Sequence, residues 1–125
     1  MKIVIVGDGK VGLTLTQQLA KEGHDIVIID KNPRVLQQSV ENYDVISVTG
    51  NGASLQVLRE AKVDTADLLI AATSADEINL LCCITAKKMG CRHTIARVRN
   101  PEYRRQLTFL RDELGLSMTI NPEAS

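Results

Sequence analysis

Short runs of β-branched and other apolar residues alternate along the chain with longer stretches whose apolar positions recur every three or four residues. Lys2–Val6 is the first run and breaks at Gly7. Lys10–Glu22 carries Val11, Leu15 and Leu19 on one face, with Leu13 beside them and Gly23 placed to stop a helix. Asp25–Ile29 is the second run and ends on Asp30. Asn32 and Pro33 then supply an N-cap and a first-turn proline for a helix to about Glu41. Val45–Thr49 is closed by Gly50-Asn51-Gly52, after which Ser54 caps a helix through Ala61. Asp67–Ala72 is the fourth run. Ser74-Ala75-Asp76-Glu77 has the spacing of a capping box, which predicts a helix from about Ala75 to Met89 with Gly90 after it. His93–Val98 is the fifth run, Asn100-Pro101 opens a helix that ends before Gly115, and Leu116–Ile120 is a weaker sixth run.

Strands that alternate with helices need right-handed crossovers, so this order predicts a mainly parallel, six-stranded sheet covered by helices on both faces. The near-continuous apolar character of Ile3–Val6, Ile26–Ile29 and Leu68–Ala72 fits strands buried on both sides. No linker or low-complexity stretch interrupts the pattern, and residues 1–125 are expected to form a single domain.

Composition narrows the function classes. Of 125 residues 44% are hydrophobic and 24% charged, as in an ordinary globular domain. No apolar run approaches the roughly 20 residues needed to span a bilayer, so the chain is expected to be cytoplasmic, with no direct membrane insertion. Cys82, Cys83 and Cys91 are odd in number and match no zinc spacing, so they read as small buried hydrophobes and no metal site is expected. The formal charge of zero conceals an asymmetry: seven basic against eleven acidic residues up to Ala86, and eight against four from Lys87. The basic last third is either a solvated face or an electropositive surface for an anion or partner. Three aromatic residues make no stacking platform for single-stranded nucleic acid, and no nucleic-acid partner is expected.

The candidate chemistry lies at the first strand end. Gly7-Asp8-Gly9-Lys10-Val11-Gly12 is a G-x-G-x-x-G that leaves a strand and opens a helix, the context that a dinucleotide fingerprint requires. Gly7 allows the tight turn, Gly9 lets backbone approach a pyrophosphate, and Gly12 lets the helix pack closely on the strand. The helix start then directs unpaired N–H groups and its positive dipole end at the phosphates. Asp30 ends the second strand eighteen residues after Gly12, where a carboxylate can accept from both hydroxyls of an adenosine ribose and repel a 2′-phosphate. NAD or an adenine nucleotide is therefore preferred over NADP, although Lys31 and Arg34 soften that repulsion. The fold class is accordingly α/β, of the doubly wound Rossmann type.

Ligands of such sheets bind outside the carboxyl ends of the strands, which draws in further residues. Asn51 follows the third strand and is either an adenine contact or a turn asparagine. Thr73 and Ser74 follow the fourth, where small residues admit a ligand and a hydroxyl can donate to a phosphate or ribose. Arg97 lies near the end of the fifth and is either a phosphate ligand or part of a surface ion pair. No catalytic residues are assigned: no Ser-His-Asp order, cysteine–base pair or P-loop lysine is present, and His24 and His93 belong at the opposite end of the sheet. A binding module rather than an enzyme is expected. The alternative is the cofactor domain of an NAD-dependent oxidoreductase that lacks its substrate domain.

Three segments carry a more specific likeness. Lys2–Gly12 followed by Asp30, the stretch Ala71-Ala72-Thr73-Ser74-Ala75-Asp76-Glu77-Ile78-Asn79-Leu80-Leu81, and Ala96-Arg97-Val98-Arg99-Asn100-Pro101-Glu102-Tyr103 closely resemble the KTN/RCK family, and within it the TrkA-type regulatory subunits of Trk potassium uptake systems. The resemblance covers essentially the whole chain. It implies binding of NAD or NADH, alternatively ATP or ADP, and a homo-oligomer built through RCK-type interfaces. It also implies a membrane-embedded potassium channel or transporter subunit as partner, and peripheral association with the cytoplasmic face of the membrane. Carried over by position, Gly7 to Val11 hold the pyrophosphate, Asp30 with Lys31 beside it holds the ribose, Thr73 and Ser74 lie under the ligand, and Arg97 reaches its phosphate side. The loop that usually reads G-D-A in the family is here Gly50-Asn51-Gly52-Ala53. Family members continue into a smaller ligand-binding domain, so the chain is expected to be the first domain of a longer protein.

Overall fold

A computed structural model describes the backbone of residues 1–114 and 118–120, with side chains up to residue 110. The apolar runs form parallel strands β1 (Lys2–Val6), β2 (Asp25–Asp30), β3 (Ile46–Thr49), β4 (Leu68–Ala71) and β5 (His93–Arg97). A three-residue strand, β6 (Met118–Ile120), pairs parallel to β5 at the edge. Leu116 and Ser117, the start of the sixth run, lie outside the described residues. The helices are α1 (Lys10–Lys21), α2 (Pro33–Asn42), α3 (Leu55–Glu60), α4 (Asp76–Met89) and α5 (Pro101–Leu114). The strand order β3-β2-β1-β4-β5-β6 reverses direction between β1 and β4.

Alternate residues of each strand enter opposite layers, as the two-residue period of a strand requires. Ile3, Ile5, Ile26, Ile28 and Ile70 pack against Val11, Leu15 and Leu19 of α1 and Leu36 of α2. Val4, Val6, Val27, Ile29, Leu69 and Ala71 pack on the other side against Leu58 of α3, Cys82, Cys83 and Ala86 of α4, and Leu107 of α5. The α/β Rossmann-like expectation is met, with helices on both faces. Burial raises the pKa of all three thiols, that of Cys83 to about 12, as inert core cysteines require.

Helix ends follow the sequence signals in some places and depart from them in others. Asn32 Oδ1 accepts from Arg34 N at 3.0 Å with Pro33 at the first position, and Gly90 ends α4 at φ 115°. Ser54 precedes α3 but makes no side-chain capping bond. The predicted capping box at Ser74 does not form either. Helix α4 begins one residue later than that box demands, with Ala75 at the N-cap position and no side-chain cap. The reason is tertiary. The Asp76 carboxylate is drawn across to the β5–α5 turn, where it accepts from Arg99 N (3.0 Å) and Asn100 N (2.8 Å).

Candidate functional site

Loops leaving the carboxyl ends of β1, β2, β3 and β4 enclose a cleft of about 650 Å³ over the strand-order reversal. Its walls come from Gly7, Gly9, Lys10 and Val11 at the start of α1, from Asp30 and Lys31, and from Gly50, Asn51 and Gly52. Thr73, Ser74 and Arg97 complete it. Ten of the twelve residues singled out in the sequence therefore face one space, and Asp8 and Gly12 do not.

The three motif glycines have three different causes. Gly7 adopts φ +95°, and a Cβ there would sit 2.9 Å from Thr73 N, so both conformation and crowding by the β4 loop exclude a side chain. At Gly12 a Cβ would lie 1.6 Å from the Gly7 carbonyl oxygen, which makes this glycine a packing residue between α1 and the turn. Gly9 has neither reason. Its φ of −77° suits any residue, and a Cβ would meet nothing within 4 Å among the described residues. The missing side chain leaves open the space directly before α1, whose first turn bears no acidic residue. Helix α4 differs, because Asp76 and Glu77 occupy its own first turn. Through Gly9, Lys10 and Val11, α1 thus presents to the cleft a helix start whose dipole no first-turn acid offsets.

Asp30 is held at the cleft rim by backbone donors. Asp8 N donates to Oδ2 and Asn32 N to Oδ1, each at 2.8 Å. A carboxylate oxygen retains a further lone pair beyond one such bond, so the fixed carboxylate can still accept from a diol. The Asp8 side chain turns the other way, and its expected place in the cofactor site is corrected. It is buried, accepts from Ser39 Oγ of α2 at 2.6 Å, and has no partner for Oδ1 among the described residues. Burial, opposed in part by the Ser39 bond and reinforced by the nearby Asp30 charge, raises the Asp8 pKa. What Asp8 contributes to the rim is its backbone N–H.

The β4 loop is organised by a residue the sequence reading did not single out. Asn79, fully buried on α4, accepts from Thr73 N (2.9 Å) and Thr73 Oγ1 (2.6 Å) and donates to Thr73 O (3.0 Å) and Arg97 O (2.8 Å). The Thr73 hydroxyl is thus engaged within the protein, by Asn79 and by Ala75 N, which donates to it at 3.2 Å; this corrects the expectation that it donates to a ligand. The Arg97 guanidinium reaches back to Thr73 O at 3.3 Å while lining the cleft, and Arg99 binds the Ser74 carbonyl at 3.0 Å. Asn51 closes an Asx turn by accepting from Ala53 N at 3.0 Å, the turn role left open by the sequence. Gly52 is needed next to it, since a Cβ would fall 2.1 Å from Val6 Cγ1. A signal for Asn79 was present: with Asp76 it is a polar residue on a helix face continued by Cys82, Cys83 and Ala86.

Among the described residues no group of three His, Cys, Asp or Glu is placed to hold a metal, and no helix is long and apolar enough to cross a membrane. His93 begins β5, and His24 precedes β2 with its ring 3.3 Å from the N-terminal amine, both at the sheet end away from the cleft. The arrangement can seat a phosphate at α1 and a polyhydroxylated group at Asp30 in one continuous space.

The chain is similar to several known proteins. The Trk system potassium uptake protein TrkA homolog of Archaeoglobus fulgidus is 42% identical over all 125 residues. That of Methanothermobacter thermautotrophicus is 36% identical over 123 residues, and the chain spans only 28% and 55% of the two relatives' lengths. The TrkA-N domain of the inner membrane protein ybaL from Escherichia coli superposes with a TM-score of 0.85 at 22% identity, over 98% of this chain and 87% of that one. The NAD-bound GsuK channel superposes at 0.77 and 24% identity, over 95% of this chain and 21% of the channel chain. The TrkA-N domain model itself matches residues 3–122, and the chain belongs to the TrkA-N domain family.

Proposed function

We propose that this chain is a regulatory module that binds NAD or NADH, or alternatively ATP or ADP, and controls a membrane potassium uptake system through ligand-dependent change in an oligomer. The observation that carries the binding part is Gly9. Nothing among the described residues requires a glycine there, and the space it leaves adjoins a helix start with no acidic residue in its first turn. In this reading the pyrophosphate lies over Gly7, Gly9, Lys10 and Val11, with Gly12 holding the helix against the turn. Asp30, with Lys31 beside it, receives the adenosine ribose, Asn51 and Gly52 border the base, and Thr73, Ser74 and Arg97 form the wall on the phosphate side. Residues 1–125 act as one domain.

The potassium-transport part rests on family membership and on the Trk system relatives. The partner is a membrane-embedded potassium channel or transporter subunit, and copies of the chain assemble at the cytoplasmic face through RCK-type interfaces. The reading needs no catalytic residue: no His, Cys or Tyr is among the described residues that line the cleft. Chemical-shift mapping with NAD on isotope-labelled protein tests the binding site. Amide shifts confined to Gly7–Val11, Asp30–Lys31, Asn51–Gly52, Thr73–Ser74 and Arg97 are expected. Shifts centred elsewhere would overturn this placement.

A further inference from the structure

Helix α4 buries Asp76, Asn79, Cys82, Cys83 and Ala86, and past the first turn Asn79 is followed on that face by small apolar residues. A fully buried amide among them is costly unless every donor and acceptor is used. Here every one is used. The oxygen takes the N–H and the hydroxyl of Thr73, and the nitrogen gives one proton to Thr73 O and one to Arg97 O. An amide has two donors and two acceptor positions, so the set is complete.

The two carbonyls it joins lie on neighbouring chain segments. The pairing of β4 with β5 ends at Ala71 and Ala96, and the β4 loop then turns toward the cleft. Asn79 bridges Thr73 and Arg97 just past the last paired residues, where the ladder no longer holds the two segments together. Thr73 O, which Asn79 fixes, also accepts from the Arg97 guanidinium at 3.3 Å. The arginine is thereby referred to Asn79 at both ends, through its own carbonyl and through the partner of its side chain.

We propose that Asn79 is a positioning residue of the nucleotide site, which sets Arg97 against the phosphate side of the ligand by clamping the ends of β4 and β5. The inference rests on the nucleotide-binding reading above. Asn79→Asp keeps size and both acceptor contacts but turns the two donor contacts into repulsions between carboxylate and carbonyl oxygens. Arg97→Gln removes the positioned charge itself.

The test is a double-substitution cycle by calorimetric titration of the chain with NAD, with thermal unfolding followed on the same samples. Each single substitution should weaken NAD by about tenfold, the worth of one misplaced charge-assisted hydrogen bond. In the Arg97→Gln background Asn79→Asp should cost less than about threefold more, because residues that act as one unit are not additive. A general loosening of the fold would weaken NAD equally in both backgrounds, so additive losses overturn the inference and leave the binding reading intact. Failure of the unsubstituted chain to bind NAD, ATP or ADP overturns that reading and this inference with it. Should Asn79→Asp not fold, Thr73→Val, which removes the hydroxyl that donates to Asn79 and accepts from Ala75 N, must show the same non-additivity with Arg97→Gln.

Discussion

Replacing Gly9 by alanine adds one methyl group at a point where the described residues offer no obstacle. The ideal Cβ meets no atom within 4 Å, and the backbone, at φ −77°, already lies where alanine is comfortable. Alanine restricts the unfolded chain, worth about 0.4–1 kcal/mol of stabilisation, and is a poorer N-cap than glycine by a similar amount. Stability should therefore change by less than about 1 kcal/mol, within a few degrees in Tm. Affinity should behave differently. A phosphate that takes hydrogen bonds from the first N–H groups of α1 must approach to about 2.9 Å of their nitrogens, which brings its oxygens onto the new methyl. Retreat by a fraction of an ångström sacrifices one or two charge-assisted bonds at about 1.5–3 kcal/mol each, a loss of ten- to a hundredfold or more. Calorimetric titration with NAD beside thermal unfolding separates the two effects. Unchanged affinity in a fully folded Gly9→Ala protein would refute the placement of the phosphates over this turn.

Other substitutions test the remaining parts of the site. Gly12→Ala should show the converse pattern, because its Cβ would collide with the Gly7 carbonyl at 1.6 Å, and neither backbone can yield cheaply. A loss of at least about 2 kcal/mol is expected in denaturant unfolding. Asp30→Ala removes the ribose acceptor together with the bonds from Asp8 N and Asn32 N, and should weaken NAD by about 1–3 kcal/mol in titration. Asp8→Asn concerns stability and pH. The raised Asp8 pKa means that the fold favours the protonated acid, so this contribution is complete below the ordinary aspartate range and is lost as pH rises through the folded value. An asparagine keeps an acceptor for Ser39 without the charge. It should raise Tm over the parent at about pH 7 and give no gain at about pH 3.

Much of this was legible from residue pattern, because the features concerned are local. The glycine turn, the strand ending in Asp30 and the proline-led start of α2 each depend on residues close in sequence. Hydrophobic runs bounded by glycines likewise located the five main strands to within a residue or so at each end. Several misreadings arose where another partner outcompeted the one that the spacing suggested. Ser74 had the spacing of a cap, but the bonds from Asp76 to Arg99 and Asn100, more than twenty residues away, settle where α4 begins. Asp8 sits inside the fingerprint yet turns toward Ser39, thirty-one residues on. Thr73 has a hydroxyl at the right place in the loop, but Asn79 claims it. No spacing rule reports such competitions, since each is decided by how the folded layers bring the groups together.

The central claim is that the cleft over the β1–β4 reversal is a nucleotide site with a carboxylate set against a 2′-phosphate. Calorimetric titration of the chain with NAD, NADH, ATP, ADP and NADP tests it most directly. One or more of the first four should bind with one-to-one stoichiometry, and NADP should bind more weakly than NAD by about tenfold, as a 2′-phosphate meets Asp30. Binding of none of the five, or of NADP more tightly than NAD, would contradict it.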